Sequence, residues 1–235
     1  MTIHHDGVTI PVSRGGRGRP LVLCPGLLTT QDDLRELIEL LRLDHEVVSF
    51  DLRGHGRSSP GSRYTFDAFL GDLTAVLATL DEPPLLVGHS LGADLAVHHA
   101  TEHPVAGLVL IDGANPVPSP FLGPEDLPEF RAMAAELAVG QALSAADILD
   151  LNLEIDAVRG SILDRFRRLD CPVTMIMSSS MAGEGGRAAW RNQNWRAGIE
   201  RLTREVPSVV THWLDAGHGL VVTHAREIAR ILARC

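Results

Sequence analysis

The sequence predicts an α/β protein built on a mostly parallel central sheet with helices on both faces. Three observations carry this reading. Strand-like runs alternate with helix-spaced segments along most of the 235 residues, and those runs are apolar throughout, not at every second position. One of them, residues 84–87, leads through Gly88-His89-Ser90-Leu91-Gly92 directly into a helical pattern. Continuously apolar strands belong to sheets covered on both sides, and strands that alternate with helices pair in parallel.

Taken in order, residues 8–12 read as a short edge strand, because Pro11 lacks the N–H that a central ladder needs. Residues 14–19 form a Gly/Arg-rich turn. Residues 21–24 are a buried strand running into the loop 25–30, where Thr30 is placed to cap an amphipathic helix over 32–43. A strand over 46–50 is closed by the turn 51–59, and 66–80 has helical spacing. After the strand at 84–87, residues 93–103 form a helix stopped by Pro104, and 105–111 is an apolar strand ending at Asp112. The alternation then stops. A proline-rich loop over 115–124 precedes helical segments near 125–139 and 145–169. It resumes with a strand over 173–177, a largely helical stretch over 186–205, a strand over 209–214 and a closing helix over 225–233.

Composition bounds the partners. At 45% hydrophobic and 22% charged, the chain can bury one large core and needs no second domain. A net charge of -9 argues against nucleic acid, whose phosphates demand a basic face, and gives no attraction to anionic membranes. No apolar run approaches the roughly 20 residues a membrane helix requires, and residues 1–7 lack the basic-then-apolar pattern of a signal segment. The expected location is the cytoplasm. Cys24, Cys171 and Cys235 are odd in number and widely spaced, which suits buried free thiols better than a disulfide framework. No Cys/His grouping has metal-ligand spacing, and His98 and His99, adjacent on a helix, cannot share a face. Neither a metal nor a cofactor is expected.

The chemistry centres on Ser90. A sharp strand-to-helix turn there forces strained backbone on the central residue, brings neighbouring segments close enough to require Gly88 and Gly92, and pushes the hydroxyl outward. Unpaired N–H groups at the helix start can hold an oxyanion. A Gly-x-Ser-x-Gly pentapeptide also arises by chance, and serine before a helix commonly acts as a cap; the surrounding strand and helix are what favour a nucleophile. A serine hydroxyl needs a base, and the base needs an acid to orient it. Among eleven histidines, His218 follows the last strand in the Gly-flanked loop Ala216-Gly217-His218-Gly219. His89, adjacent to Ser90, points away from the hydroxyl, and His55 lies in a turn whose role is structural.

The strand and loop at 21–30, the turn 51–59, residues 88–92 and residues 216–219, in this order, resemble the α/β-hydrolase fold family over almost the whole chain. The resemblance implies a core made of residues 1–112 and 171–235, with 113–170 forming a small helical cap whose Phe121, Leu122, Phe130 and Met133 wall the pocket. It implies that the N–H groups of Leu27 and Leu91 form an oxyanion hole, although Pro25-Gly26 replaces the family's His-Gly pair. In the family the acid usually follows the strand that is here 173–177, yet residues 178–183 carry no carboxylate and the first available is Glu184. Asp112 is the alternative, at a position that some members, including zearalenone-lactonase-like hydrolases, use instead. A rigid strand places Asp112 whereas Glu184 sits in a glycine-rich loop, so Asp112 is preferred; Asp215 is too near His218 along the chain. The activity implied is hydrolysis of a small carboxylic ester or lactone with an apolar portion, through an acyl-enzyme that water cleaves. Serine in place of an aspartate nucleophile speaks against epoxide hydrolase and haloalkane dehalogenase chemistry. Thioester, amide or carbon–carbon bond hydrolysis and a perhydrolase side activity stay open, as does a ligand-binding protein that keeps the fold but turns over little.

Overall fold

Eight strands, β1 (Thr2–His5), β2 (Val8–Gly16), β3 (Arg19–Cys24), β4 (His45–Phe50), β5 (Leu85–His89), β6 (Gly107–Ile111), β7 (Val173–Ser178) and β8 (Val210–Leu214), form one sheet in the computed structural model, which describes residues 1–234. Their spatial order is β1-β2-β4-β3-β5-β6-β7-β8. β2 runs antiparallel to β1 and to β4, and every pairing from β4 through β8 is parallel.

The apolar runs are explained by the two layers that cover this sheet. Alternate residues of one strand serve opposite cores: Leu21 and Leu23 pack toward α1 (Arg35–Leu41), α7 (Leu220–Thr223) and α8 (Ala225–Leu232), while Val22 and Cys24 pack toward α2 (Phe66–Leu77), α3 (Leu91–Ala100), α5 (Ala145–Phe166) and α6 (Ala188–Glu205). A strand with cores on both faces has no polar side. Between β6 and β7 the chain leaves the sheet to form α4 (Leu127–Leu137) and α5, which pack on each other, and α5 also packs on α3. Ser144 caps α5 in a reciprocal box with Asp147.

Several boundaries differ from the sequence expectations, for physical reasons. The turn expected over 14–19 is mostly strand: β2 continues to Gly16, whose φ of +89° and close approach to the His45 carbonyl require glycine, and only residues 17–18 turn. β1 is an added edge strand, joined to β2 by Asp6-Gly7 with φ of 48° and 73°. The regular helix near 32–43 starts at Arg35, because Thr30 and Asp33 close on each other one turn earlier and the intervening residues remain a turn. Cys24 is buried as expected, Cys171 is only half-buried, and Cys235 lies outside the described residues. No helix among the described residues is long and apolar enough to cross a membrane.

Candidate active site

Ser90 stands between β5 and α3 with φ 51° and ψ −119°, a conformation that costs a non-glycine residue about 1–3 kcal/mol. The turn is held by close packing. A Cβ on Gly88 would lie 2.3 Å from the Gly92 carbonyl oxygen, and one on Gly92 would lie 2.3 Å from that of Cys24. The first turn of α3 therefore rests directly on the ends of β3 and β5, and the Ser90 N–H is fixed by the Ile111 carbonyl at 2.9 Å.

His218 reaches Ser90 from the loop between β8 and α7. The Ser90 hydroxyl donates to His218 Nε2 at 2.9 Å, and His218 Nδ1–H donates to Asp112 Oδ2 at 2.7 Å. His89 does point away from the hydroxyl, but it is not idle: its Nε2–H donates to the His218 backbone carbonyl at 3.2 Å, and the two rings lie 5.2 Å apart. Burial, with the neighbouring His218, pushes the His89 pKa down to about 3, so it is an uncharged strut beneath the loop. His55 is buried elsewhere, donating to the Arg53 carbonyl.

Asp112 is fully buried at the end of β6, with φ 46°. Four donors converge on it. Ser178 N–H (2.9 Å) and Trp195 Nε1–H (3.0 Å) reach Oδ1; Ser178 Oγ (2.7 Å) and His218 Nδ1 reach Oδ2. Burial alone would raise the Asp112 pKa, but the bonds and charge of His218 and the two bonds from Ser178 outweigh it and hold the carboxyl below its ordinary value. Glu184 is exposed between Gly183 and Gly185 and makes no hydrogen bond to His218, and Asp215 accepts from Ser179 instead. The loop after β7 thus supplies no acid to His218, while Ser178, the last residue of β7, supplies two of the donors that hold Asp112.

Leu27 and Leu91 both border the cavity into which Ser90 and His218 open, and their backbone N–H groups have no hydrogen-bond partner among the described residues. Leu28, next in the loop, has φ 59°. The cavity measures about 380 Å³ and is walled chiefly by apolar side chains, among them Phe121, Leu122, Phe130 and Met133. Of its charged lining groups, Arg159 is bidentate to buried Asp94 of α3 (3.0 and 2.7 Å), Arg191 bonds Asp126 and Glu129, and Asp156 accepts from the backbone N–H groups of Phe121 and Leu122. No cluster of His, Cys, Asp or Glu among the described residues could hold a metal ion.

Sequence reasoning missed Ser178, Trp195 and the Arg159–Asp94 pair. Each acts across the fold, from positions 65 to 83 residues from its partner, and none sits in a local pattern.

The model of the alpha/beta hydrolase fold family matches residues 19–166. A Streptomyces lividans protein named non-heme chloroperoxidase is 27% identical over 212 residues, covering 84% of this chain and 74% of that protein. A non-heme haloperoxidase of Rhodococcus erythropolis is 33% identical over 118 residues, 48% of this chain. That match takes in 43% of the relative's own length, and other curated relatives are likewise spanned by less than half. The solved structure of Est816, an N-acyl homoserine lactone degrading enzyme, superposes with a TM-score of 0.79 at 19% identity and covers 99% of both chains. At that identity the likeness shows the fold alone.

Proposed function

Because the chain belongs to the alpha/beta hydrolase fold family, we propose that it is a serine hydrolase that cleaves carboxylic esters or lactones through an acyl-enzyme. The observation that carries this reading is the unbroken hydrogen-bond chain from the Ser90 hydroxyl through His218 to Asp112. In the proposed reaction, Ser90 Oγ forms a bond to the substrate carbonyl carbon while His218 Nε2 takes the hydroxyl proton. Asp112 keeps the remaining proton on Nδ1 and balances the imidazolium charge. The carbonyl oxygen, now carrying the negative charge, lies against the N–H groups of Leu27 and Leu91; one such donor is worth on the order of 3 kcal/mol to the transition state. His218 then returns its proton to the leaving alkoxide, which departs as alcohol. A water attacks the acyl-enzyme by the same route, and the acid is released.

Residues 113–170 are assigned as a cap over this site, since Phe121, Leu122, Phe130 and Met133 from that segment wall the cavity. The predominance of apolar lining, with the lining charges engaged by neighbouring protein groups, supports an uncharged, apolar acyl group or lactone ring. An accessory reaction proposed on the same acyl-enzyme is perhydrolysis, with hydrogen peroxide in place of water at deacylation giving a peracid; two relatives bear the names haloperoxidase and chloroperoxidase.

The test is turnover of p-nitrophenyl acetate and butyrate by the wild type and by Ser90→Ala. A Ser90-dependent rate supports an enzyme; equal background rates would favour the weakly active ligand-binding alternative and refute catalysis at this site. A panel of esters and lactones then separates the substrate classes.

A further inference from the structure

We propose that Trp195 is a positioning residue for the reaction proposed above, and rests on that reading: its indole N–H locks the Asp112 carboxylate in the orientation from which Oδ2 can hold His218. The bond from Trp195 Nε1 to Asp112 Oδ1 is 3.0 Å and buried, and it occupies the oxygen that His218 does not use. An indole N–H can only donate. Unlike serine, tyrosine or histidine in the same place, it cannot reverse its role and invite a proton onto the carboxyl.

The ring is itself restrained on several sides. Phe121 packs edge-on against it at 5.6 Å between centroids, and the Arg159 guanidinium lies over it at 5.4 Å. The Trp195 backbone carbonyl accepts from Asn115 Nδ2 at 2.7 Å. One turn later, Gly198 lets α6 press against that same asparagine, since a Cβ there would fall 2.0 Å from Asn115 Oδ1. α6 is thus pinned to the segment that follows Asp112, and the depth of the indole is set by backbone as well as by side chains. Because Trp195 also borders the cavity, one ring serves both as pocket wall and as a support for the acid.

Loss of this donor has a direction. With three donors left, more charge stays on the carboxylate facing the imidazole, so the Asp112–His218 pair keeps its proton to higher pH. The other charged groups facing the pair are Arg159 of α5 and Asp94 of α3, which bond each other; His89 of β5 is uncharged. All three residues are retained in the variants below, and the isostere also keeps a bicyclic ring beneath Arg159.

The experiment compares wild type, Trp195→Phe and the full chain carrying 3-benzothienylalanine at position 195, in which sulfur replaces the indole N–H at nearly constant shape. With p-nitrophenyl butyrate, both variants should lose about tenfold in kcat with KM within about twofold. The acidic limb of kcat/KM should move up by about half a pH unit. If the isostere keeps the wild-type rate and limb, packing of the ring and not its N–H is what matters, and the inference is overturned even where Trp195→Phe fails to fold. A Ser90-dependent rate with an unmoved limb in both variants overturns the role of Trp195 alone. Equal rates for wild type and Ser90→Ala overturn the underlying reading, and this inference with it.

Discussion

Replacing Asp112 with asparagine should cost about 10⁴-fold in kcat, and the structure explains why the loss follows from hydrogen-bond direction, not from misfolding. The carboxylate accepts from four donors. An amide of the same shape offers one oxygen and one NH₂, and it can sit two ways. With the NH₂ at the Oδ1 position it would face two donors that cannot turn, Ser178 N–H and Trp195 Nε1–H. Two buried N–H groups left unmet cost roughly 2–6 kcal/mol. With the NH₂ at the Oδ2 position it faces Ser178 Oγ, whose hydroxyl can rotate to accept, and His218 Nδ1, which can accept by changing tautomer. The second arrangement is favoured. It places the imidazole proton on Nε2, where it confronts the Ser90 hydroxyl and abolishes the base. Asp112→Asn should therefore melt within a few degrees of the wild type while losing nearly all turnover of p-nitrophenyl butyrate, and Glu184→Gln should be indistinguishable from the wild type. A folded Asp112→Asn protein within tenfold of the wild-type rate, or a large loss confined to Glu184→Gln, would refute this reasoning.

Acid should destabilise the fold through its buried histidines. His89 titrates near 3 when folded and near 6.5 when unfolded, so between those values the unfolded chain binds the extra proton. Its contribution is complete above about pH 6.5 and declines by up to about 1.4 kcal/mol per pH unit as pH falls toward 3. His98 and His99, held down to about 4 by burial, act in the same direction, as does Asp112 at lower pH; a denaturation midpoint that stays level from pH 7 to 4 would contradict this. Gly92→Ala should cost on the order of 3 kcal/mol or more, because its Cβ would meet backbone carbonyl oxygens of Cys24 and Pro25 that cannot yield, and urea unfolding measures it. Arg159→Met should cost about 3–5 kcal/mol by stranding the buried Asp94 carboxylate, and adding Asp94→Leu should recover much of that, a double-mutant cycle readable by thermal melting.

The sheet was legible because its strands are apolar on both faces, so residues 21–24, 105–111 and 173–177 announced themselves without any knowledge of neighbours. The turn at Ser90 was legible because close packing leaves glycine as the sole choice at 88 and 92. β1 was not read, although Asp6-Gly7 ahead of an alternating strand is a hairpin signal; its four residues are too few and too polar to stand out. The turn expected over 14–19 was misjudged because Gly15 and Gly16 lie in a ladder opposite Val47 and Glu46, a partner that the local sequence does not reveal. Trp195 illustrates the general limit. Nothing in its helix distinguishes a tryptophan that fills space from one whose N–H meets a carboxylate 83 residues away. Ser178 is hard to recognise for a related reason: the family pattern points to a carboxylate after 173–177, and the residue present is one that binds a carboxylate.

That exchange of roles has an evolutionary reach. With the residue that steadies His218 anchored at the end of β6, the six positions from Met181 to Gly186 carry none of the bonds linking Ser90, His218 and Asp112, yet Met181 and Ala182 still border the cavity. Insertions or replacements there could redraw the outline of the chamber while leaving the reacting atoms where they are, which makes this short glycine-rich stretch the natural place to graft a new preference onto an unchanged chemistry.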